Sequence, residues 1–443
     1  MDFLGYRDGV LCMEGVPLPG LAARFGTPFF LIGEARLRAN YQALERGLAG
    51  AVLRYCAKTN HEAAVLETLA RCGSHLLASH GAEVELALRC GFPPERIAFA
   101  RPVLLPEELG AVLAAGVPLV HVHRPEDLEL VERAAIRAGR RVRVSLRLRQ
   151  EGIAISLLDC LNRRLGLSAA EVLDAARRFA DSPWIELAAV NFYLGTQQSS
   201  LAGFSRVFRG VLALLERIAA ETGVMIREVN LGGGIPSLSL RKVGPRRLLA
   251  RWWDRPGDAG GPERQEEFAA GLGRRFRELA DGARLPERPT LAAEPGRSIA
   301  GDAAVLVSRV RGVSGRWAFL DASRNFLPES PLLFSRRILP LGQPADGVDG
   351  KDDRFYHLSG STLNTLDVLD LRRRLPRLES GDALAFCDAG AYSISRASPY
   401  AGLPPAVYML QEDGEVRLVR RAGGIDQLLH PMIPRGEAVG VDR

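Results

Sequence analysis

The sequence predicts a (β/α)8 barrel followed by a β-rich domain, an α/β plus all-β organisation. Three observations predict it. From about residue 50 to about residue 295, short apolar runs alternate with longer stretches that carry an apolar face at helical spacing. Eight such runs occur, the number that closes a barrel within roughly 250 residues. Beyond about residue 296 long helices become scarce, and short strands follow one another between Gly, Asp, Ser and Pro. A doubly wound open sheet fits the same alternation and stays open at this level.

The elements follow in order. Residues 1–33 form an N-terminal segment. It ends in an apolar strand, Thr27–Ile32, expected to pack with the β-rich domain. A helix over Glu34–Leu48 places Leu37, Tyr41, Leu44 and Leu48 on one face. The barrel is expected over 34–295. Its strands are Ala51–Ala57, Ser74–Ser79, Arg96–Ala100, Pro118–Val122, Arg141–Leu148, Ile185–Leu194, Ile226–Leu231 and Pro289–Glu294. Helices are expected between them, among others Glu62–Cys72, Pro106–Ala115, Pro125–Ala138, Ser168–Ala180, Phe204–Thr222 and Glu263–Ala280. Residues 237–265 break the rhythm with a basic run, Trp252-Trp253 and a Gly- and Pro-rich tract. After the seventh strand this is either a lid over the rim or a surface excursion. Residues 296–443 form the β domain, a sandwich or partial barrel. Its expected strands are Ala303–Val313, Arg316–Leu320, Phe355–Leu358, Ala383–Cys387, Ala406–Leu410 and Glu415–Leu418.

Composition narrows the function classes. In 443 residues there are 58 Lys plus Arg against 52 Asp plus Glu, a net charge of +6. The arginines are dispersed, so nucleic acid is not an expected partner. No apolar run is long enough to span a membrane. The first residues show no basic region followed by an apolar stretch, so no signal peptide is expected. The six cysteines (Cys12, Cys56, Cys72, Cys90, Cys160 and Cys387) show no CxxC spacing. Reduced thiols and a cytoplasmic location are expected. Only three of the 58 basic residues are lysines: Lys58, Lys242 and Lys351. Lysine alone among these cations can lose its proton and act as an amine nucleophile.

Chemistry in a barrel sits at the C-terminal ends of the strands. Lys58 follows the first strand directly, in Tyr55-Cys56-Ala57-Lys58-Thr59-Asn60, whereas Lys242 and Lys351 fall in polar loops. Lys58 is therefore the candidate Schiff-base amine, with a structural ion pair as the competing reading. The seventh strand runs into Gly232-Gly233-Gly234. Successive glycine N–H groups bind phosphate, and tight turns also need glycine. The eighth strand ends in Glu294-Pro295-Gly296-Arg297, and the sixth in Tyr193-Leu194-Gly195-Thr196. A reactive lysine, a phosphate nest and a carboxylate on one rim suggest pyridoxal 5′-phosphate, with the acid on its ring nitrogen.

With these residues in place the chain resembles the fold-type III pyridoxal-phosphate decarboxylases, which include diaminopimelate, ornithine and arginine decarboxylases. Tyr55-Cys56-Ala57-Lys58-Thr59-Asn60 is similar to the family's Y-A-x-K-A-N. Gly81-Ala82-Glu83-Val84-Glu85-Leu86-Ala87 resembles its G-G-E-L-x-L-A. Gly232-Gly233-Gly234, Glu294-Pro295-Gly296-Arg297 and Asp388-Ala389-Gly390-Ala391-Tyr392 follow in the family's order. The resemblance implies an alanine racemase-like barrel and a homodimer with shared active sites. It implies that Lys58 forms the internal aldimine and that Gly232, Gly233, Gly234 and Arg297 hold the phosphate, with Tyr392 assisting. It also implies that Tyr193 and Thr196 line the cofactor and that Glu294 pairs with the ring nitrogen.

Departures from the family pattern bear on the reaction. Tyr193-Leu194-Gly195-Thr196 stands where the family reads H-x-G-S, so an aromatic ring replaces the stacking imidazole. The acid expected nineteen residues after the lysine is Leu77; His80 nearby is either its substitute or a loop histidine. Gly360–Asp367 resembles a segment that the family contributes across the dimer, and Asp367 matches its final acid. The cysteine of that segment is Leu363, and Cys387 is not placed to replace it. Lys58 or water would then return the proton. Asn364 stands where diaminopimelate decarboxylases carry a glutamate that contacts the distal amine, which points away from diaminopimelate. Asn364 and Asp367 are the expected substrate-binding residues, and Lys58, Glu294 and Asp367 the expected catalytic ones. The expectation is α-decarboxylation of an amino acid or a carrier-linked amino acid through a Lys58 aldimine and a quinonoid. Another reaction of the same cofactor (racemisation, elimination or oxidative deamination) and cofactor binding without turnover stay open. No metal, nucleic acid or membrane partner is expected.

Overall fold

The computed structural model describes residues 3–150, 164–237, 239–243, 265–342 and 353–429. Trp252, Trp253 and Lys351, with most of the 237–265 excursion, lie outside these residues. The described residues fall into two compact units. One comprises Glu34–Lys242 and residues 265–303; the other joins the segment ending at Gly33 to Val243 and the residues from Ala304 onward.

Among the described residues of the first unit, eight parallel strands close into a barrel. In chain order they are Val52–Cys56, His75–Ala78, Ile97–Ala100, Leu119–Val122, Val142–Arg147, Ile185–Asn191, Glu228–Asn230 and Thr290–Ala293. Each pairs with its neighbours in the chain. The eighth also pairs with the first, Ala292 opposite Val52 and Ala293 opposite Leu53. That closure excludes the open sheet. The strands form because their apolar residues are buried on both faces, as parallel sheets require. In the fifth strand Val142, Val144 and Leu146 are fully buried, and Arg143 is exposed. The intervening helices cover the sheet with one apolar side. The helix Ala63–Arg71 buries Val65, Leu66 and Leu69. The helix Ala169–Phe179 starts at a capping box in which Ser168 Oγ accepts from Glu171 N–H and Glu171 accepts from Ser168 N–H. Helices Glu34–Gly47 and Gln265–Asp281 pack so closely at Gly47 that a Cβ there would lie 2.6 Å from the Ala269 Cβ.

Inside the barrel, Cys56, Leu77, Ala98 and Leu119 form an apolar cluster. Leu77, at the position of the family's acid, thus packs as a hydrophobe. Arg54 on the first strand and Glu228 on the seventh are not neighbours in the sheet, so their contact crosses the interior. They form a buried bidentate pair at 2.8 and 2.7 Å.

The second unit is built on a nine-stranded sheet among its described residues. The strand Phe29–Gly33 lies between Ala304–Ser314, to which it is antiparallel, and Ala406–Leu410, to which it is parallel. Its core gathers Leu11, Met13, Phe29, Leu31, Val305, Val307 and Cys387. Cys387 is therefore a packing residue. The strands Phe334–Arg336, Ile338–Pro340 and Val368–Leu375 add to those read from the sequence, as do the short strands Leu4–Arg7, Val10–Met13 and Val16–Pro17. Lys242 ends the short strand Leu240–Lys242, where the sequence pattern indicated a loop. The five described cysteines are free thiols. No helix among the described residues is long and apolar enough to cross a membrane.

Candidate active site

The first strand delivers Lys58 through a single helical turn, Ala57–Thr59. Local hydrogen bonds from the same motif fix that turn. The fully buried Tyr55 donates its hydroxyl to the Asn60 carbonyl at 3.0 Å, and Asn60 Oδ1 accepts from Glu62 N–H at 3.1 Å. Ala57, Thr59 and Asn60 are buried while Lys58 is exposed at the rim.

The end of the eighth strand is joined to this turn. Cys56 N–H donates to the Pro295 carbonyl at 3.1 Å. A Cβ on Gly296 would lie 2.2 Å from Thr59 Oγ1, so only glycine fits this approach. Lys58 and Glu294 thus share one part of the rim. Glu294 is 8% exposed. Its Oε1 accepts from Asn230 Nδ2 at 2.7 Å, and Asn230 Oδ1 accepts from Gly232 N–H at 2.8 Å. No hydrogen bond among the described residues engages the second Glu294 oxygen.

The glycine triplet is held by close backbone approach. Gly232 has φ +69° and Gly234 φ +99°. A Cβ on Gly232 would lie 2.2 Å from the Phe192 carbonyl oxygen, and one on Gly234 2.3 Å from that of Gly195. Side chains are excluded at both positions. A Cβ on Gly233 would lie 3.1 Å from the Glu294 carbonyl oxygen and 3.8 Å from the Tyr193 ring, which brings the triplet, Tyr193 and Glu294 together. The loops after the sixth and seventh strands are tied by Gln198 N–H to the Gly234 carbonyl at 2.8 Å and by Ser237 N–H to Gln197 Oε1 at 2.8 Å. Thr196 lies half-buried between these ties. The Arg147 guanidinium sits 5.6 Å from the centre of the Tyr193 ring. Arg297, half-buried, opens the short helix Arg297–Ala300.

Four groups that the sequence reading passed over also face this rim. His121, 1% exposed, places Nε2 3.5 Å from Glu294 Oε1. Burial first, then the charges of Arg54 and Arg147, push its pKa down to about 3 against the pull of Glu228. His123 is pushed down to about 3 by burial, then by Arg147, His121 and Lys58. Both imidazoles are neutral at neutral pH. Burial pushes the Cys56 thiol up to about 11; Glu294 and Glu83 act the same way, and Lys58 and Thr59 oppose. Desolvation lowers the Arg147 pKa against Glu294 and Tyr193. The available signal was position: His121, Arg147 and Asn230 lie at the C-terminal ends of barrel strands.

Other expected residues are placed differently. His80 is half-exposed, with Nε2 3.6 Å from Glu83 Oε1, and reads as a loop histidine. Asn364, Asp367 and Tyr392 belong to the other compact unit. Tyr392 closes a buried turn, Asp388–Ala391, and has φ +58°. Asp367, an expected catalytic and substrate-binding residue, is buried and hydrogen-bonded at both oxygens. Oδ1 accepts from Arg324 N–H at 2.7 Å and Ser323 Oγ at 3.3 Å; Oδ2 accepts from Thr362 N–H at 2.9 Å and Thr362 Oγ1 at 2.6 Å. Both oxygens of this buried carboxylate are committed to shaping its own loop. A Cβ on Gly360 would lie 2.1 Å from Asp367 Oδ1, so that loop also requires glycine. At its tip Leu363 is fully exposed and Asn364 is exposed as well.

The residues of the barrel rim fit pyridoxal phosphate on structural grounds. A side-chain-free cradle, whose Gly233 and Gly234 N–H groups are not engaged by the described residues, suits a phosphate. An anchored carboxylate with one oxygen to spare suits a protonated ring nitrogen. An exposed amine on a rigid turn suits a carbonyl.

Comparison with known proteins agrees. The family model described as pyridoxal-dependent decarboxylase, pyridoxal binding domain, matches residues 34–301. A diaminopimelate decarboxylase of Pseudomonas aeruginosa is 30% identical over 438 residues, covering 97% of this chain and 98% of its own. One of Methanothermobacter thermautotrophicus is 28% identical over 433 residues, covering 95% of each. The crystal structure of diaminopimelate decarboxylase from M. jannaschii in complex with L-lysine superposes with a TM-score of 0.84 over 98% of both chains, at 22% identity. The fold, the rim and the family match together place the chain among the pyridoxal-dependent decarboxylases.

Proposed function

We propose that this protein catalyses pyridoxal-phosphate-dependent α-decarboxylation of an amino acid, free or carrier-linked. The observation that carries the reading is the joined rim of Lys58 and Glu294, in which an exposed lysine and an anchored carboxylate are fixed by adjacent backbone contacts. When bound, the cofactor supplies an electron sink for the charge left at Cα as the carboxylate departs. The protein's residues do the rest. Lys58 offers the amine that holds the cofactor's carbonyl and exchanges with the substrate's amine. Glu294 keeps a proton on the ring nitrogen, its own position set by Asn230. The Gly233 and Gly234 N–H groups, with Arg297, bind the phosphate and fix the ring's depth. Tyr193, oriented by Arg147, presents an aromatic face beside the triplet. Neutral His123 and protonated Cys56 add no charge next to the Lys58 amine.

Purified protein loaded with cofactor should release CO2 from at least one member of a panel of diaminopimelate, lysine, ornithine, arginine and carrier-linked amino acids. Lys58→Ala should abolish that release. Turnover unaltered by Lys58→Ala contradicts the assignment. Asn364 supports a substrate other than diaminopimelate, the substrate named for the relatives, because it carries no charge for a distal amine. Leu363 favours a second reading, another reaction of the same cofactor, because no thiol stands there to return a proton. Product analysis in deuterated water separates the two: decarboxylation yields an amine with one deuterium at the former Cα, and racemisation yields a deuterated amino acid.

The exposed loop tip also supports a homodimer. Leu363 is fully exposed and Leu366 is 67% exposed, on a loop that Asp367 holds rigid. A second copy of the chain covers such leucines more readily than water does. The free thiols support a reducing, cytoplasmic compartment.

A further inference from the structure

His121 lies on the fourth barrel strand and Glu294 directly after the eighth. These strands are not neighbours in the closed sheet, so the 3.5 Å approach of His121 Nε2 to Glu294 Oε1 crosses the barrel interior. Neither ring nitrogen of His121 has a hydrogen-bond partner among the described residues, although both are fully buried. Buried polar atoms without partners are rare because the lost hydration is not replaced. The Glu294 carboxylate lies within 3.5 Å of Nε2, and the approach falls on the oxygen that already accepts from Asn230. Asn230 from the neighbouring seventh strand and His121 from across the barrel thus converge on Oε1, and Oε2 is left over.

We propose that His121 is a positioning residue: with Asn230 it holds Oε1 of Glu294, so that Oε2 is presented to the ring nitrogen of the cofactor. The proposal rests on the pyridoxal reading of the rim. Its chemistry needs a neutral imidazole that donates from Nε2, and the surroundings supply it. Burial most of all, then Arg54 from the first strand and Arg147 from the fifth, disfavour a second proton, and Glu228 from the seventh opposes them. A histidine that merely filled space would use none of this. The fourth strand offers Val120 and Val122 beside it as examples of what simple packing uses.

The test compares cofactor-free wild type, His121→Leu and His121→Gln. Three quantities are read: the dissociation constant for pyridoxal phosphate, the pH midpoint of the bound cofactor's visible absorbance, and the melting temperature of the cofactor-free protein. Gln keeps an N–H donor where Nε2 stood, and Leu keeps bulk alone. His121→Leu should weaken binding by about ten-fold or more, the scale of a hydrogen bond to a charged group, and should displace the pH midpoint. His121→Gln should bind within roughly three-fold of wild type with its midpoint restored. Wild-type affinity and midpoint in His121→Leu overturn the proposal. So does equal weakening in both variants that tracks an equal loss of melting temperature, which marks a packing role. If His121→Leu does not fold, His121→Asn replaces it: its amide lies at the Nδ1 position, weak binding is expected, and wild-type binding overturns the proposal. A wild-type protein that takes up no cofactor refutes the reading of the rim itself, a result distinct from any of these.

Discussion

Two buried histidines at the end of the fourth strand give the molecule a pH signature at the scale of single residues. His121 and His123 are both pushed down to about 3, chiefly by burial. In the unfolded chain a histidine titrates near about 6.5. Between those values the unfolded chain takes up the proton and the folded chain does not. Stability is therefore full above about pH 6.5 and falls as the pH drops toward 3, by up to about 1.4 kcal/mol per pH unit for each histidine. Urea unfolding at about pH 7.5 and about pH 5 should show the lower stability at the acid value. Replacing both histidines with Gln should shrink that difference, and an undiminished difference contradicts the account. Lys58 was legible at this scale because lysine is scarce and because it follows a strand directly. His121 was not, since a histidine within an apolar strand has no local signature. Its role depends on Glu294, which is 173 positions away in the chain.

Whole elements were legible in proportion to how much of their surface they bury. All eight barrel strands coincide with apolar runs, because a strand covered on both faces reads as a continuous hydrophobic stretch. Val368–Leu375 was illegible because Arg372, Arg373 and Arg374 interrupt its alternation, and Arg372 has φ +52°. Leu4–Arg7 and Val16–Pro17 were too short to show a period. Asp367 was legible as a motif residue, but its partners within the loop were not, because a motif fixes residue types and spacing and not which donors surround an oxygen. The first and seventh barrel strands carry their own prediction through Arg54 and Glu228. Removing one partner of a buried pair leaves an uncompensated charge, so Arg54→Met should cost about 3–5 kcal/mol in urea unfolding. The double variant Arg54→Met with Glu228→Leu should be more stable than the single one, because neither charge is then stranded. A double variant less stable than Arg54→Met contradicts this.

At the scale of the whole molecule, barrel and β unit were both foreshadowed by the change of rhythm after the eighth strand. The count of eight runs pointed to closure, but an open doubly wound sheet has the same alternation, and the pairing of the eighth strand with the first decides. Assembly is the property that sequence motifs specify least directly. The exposed Leu363 and Leu366 predict sedimentation as a dimer, and changing both to Glu should shift the equilibrium toward monomer with the barrel's circular dichroism unchanged. A wild-type protein that sediments as a monomer at all concentrations, or a double Glu variant that stays fully dimeric, contradicts that reading.

The central claim is that Lys58 carries the cofactor, and the composition makes it directly measurable. The chain has three lysines. Borohydride reduction of the loaded protein, followed by peptide mapping, should place a stable pyridoxyl group on the peptide containing Lys58 and should remove the visible absorbance in proportion. A label on the Lys242 or Lys351 peptide instead, or no label at all, would contradict it.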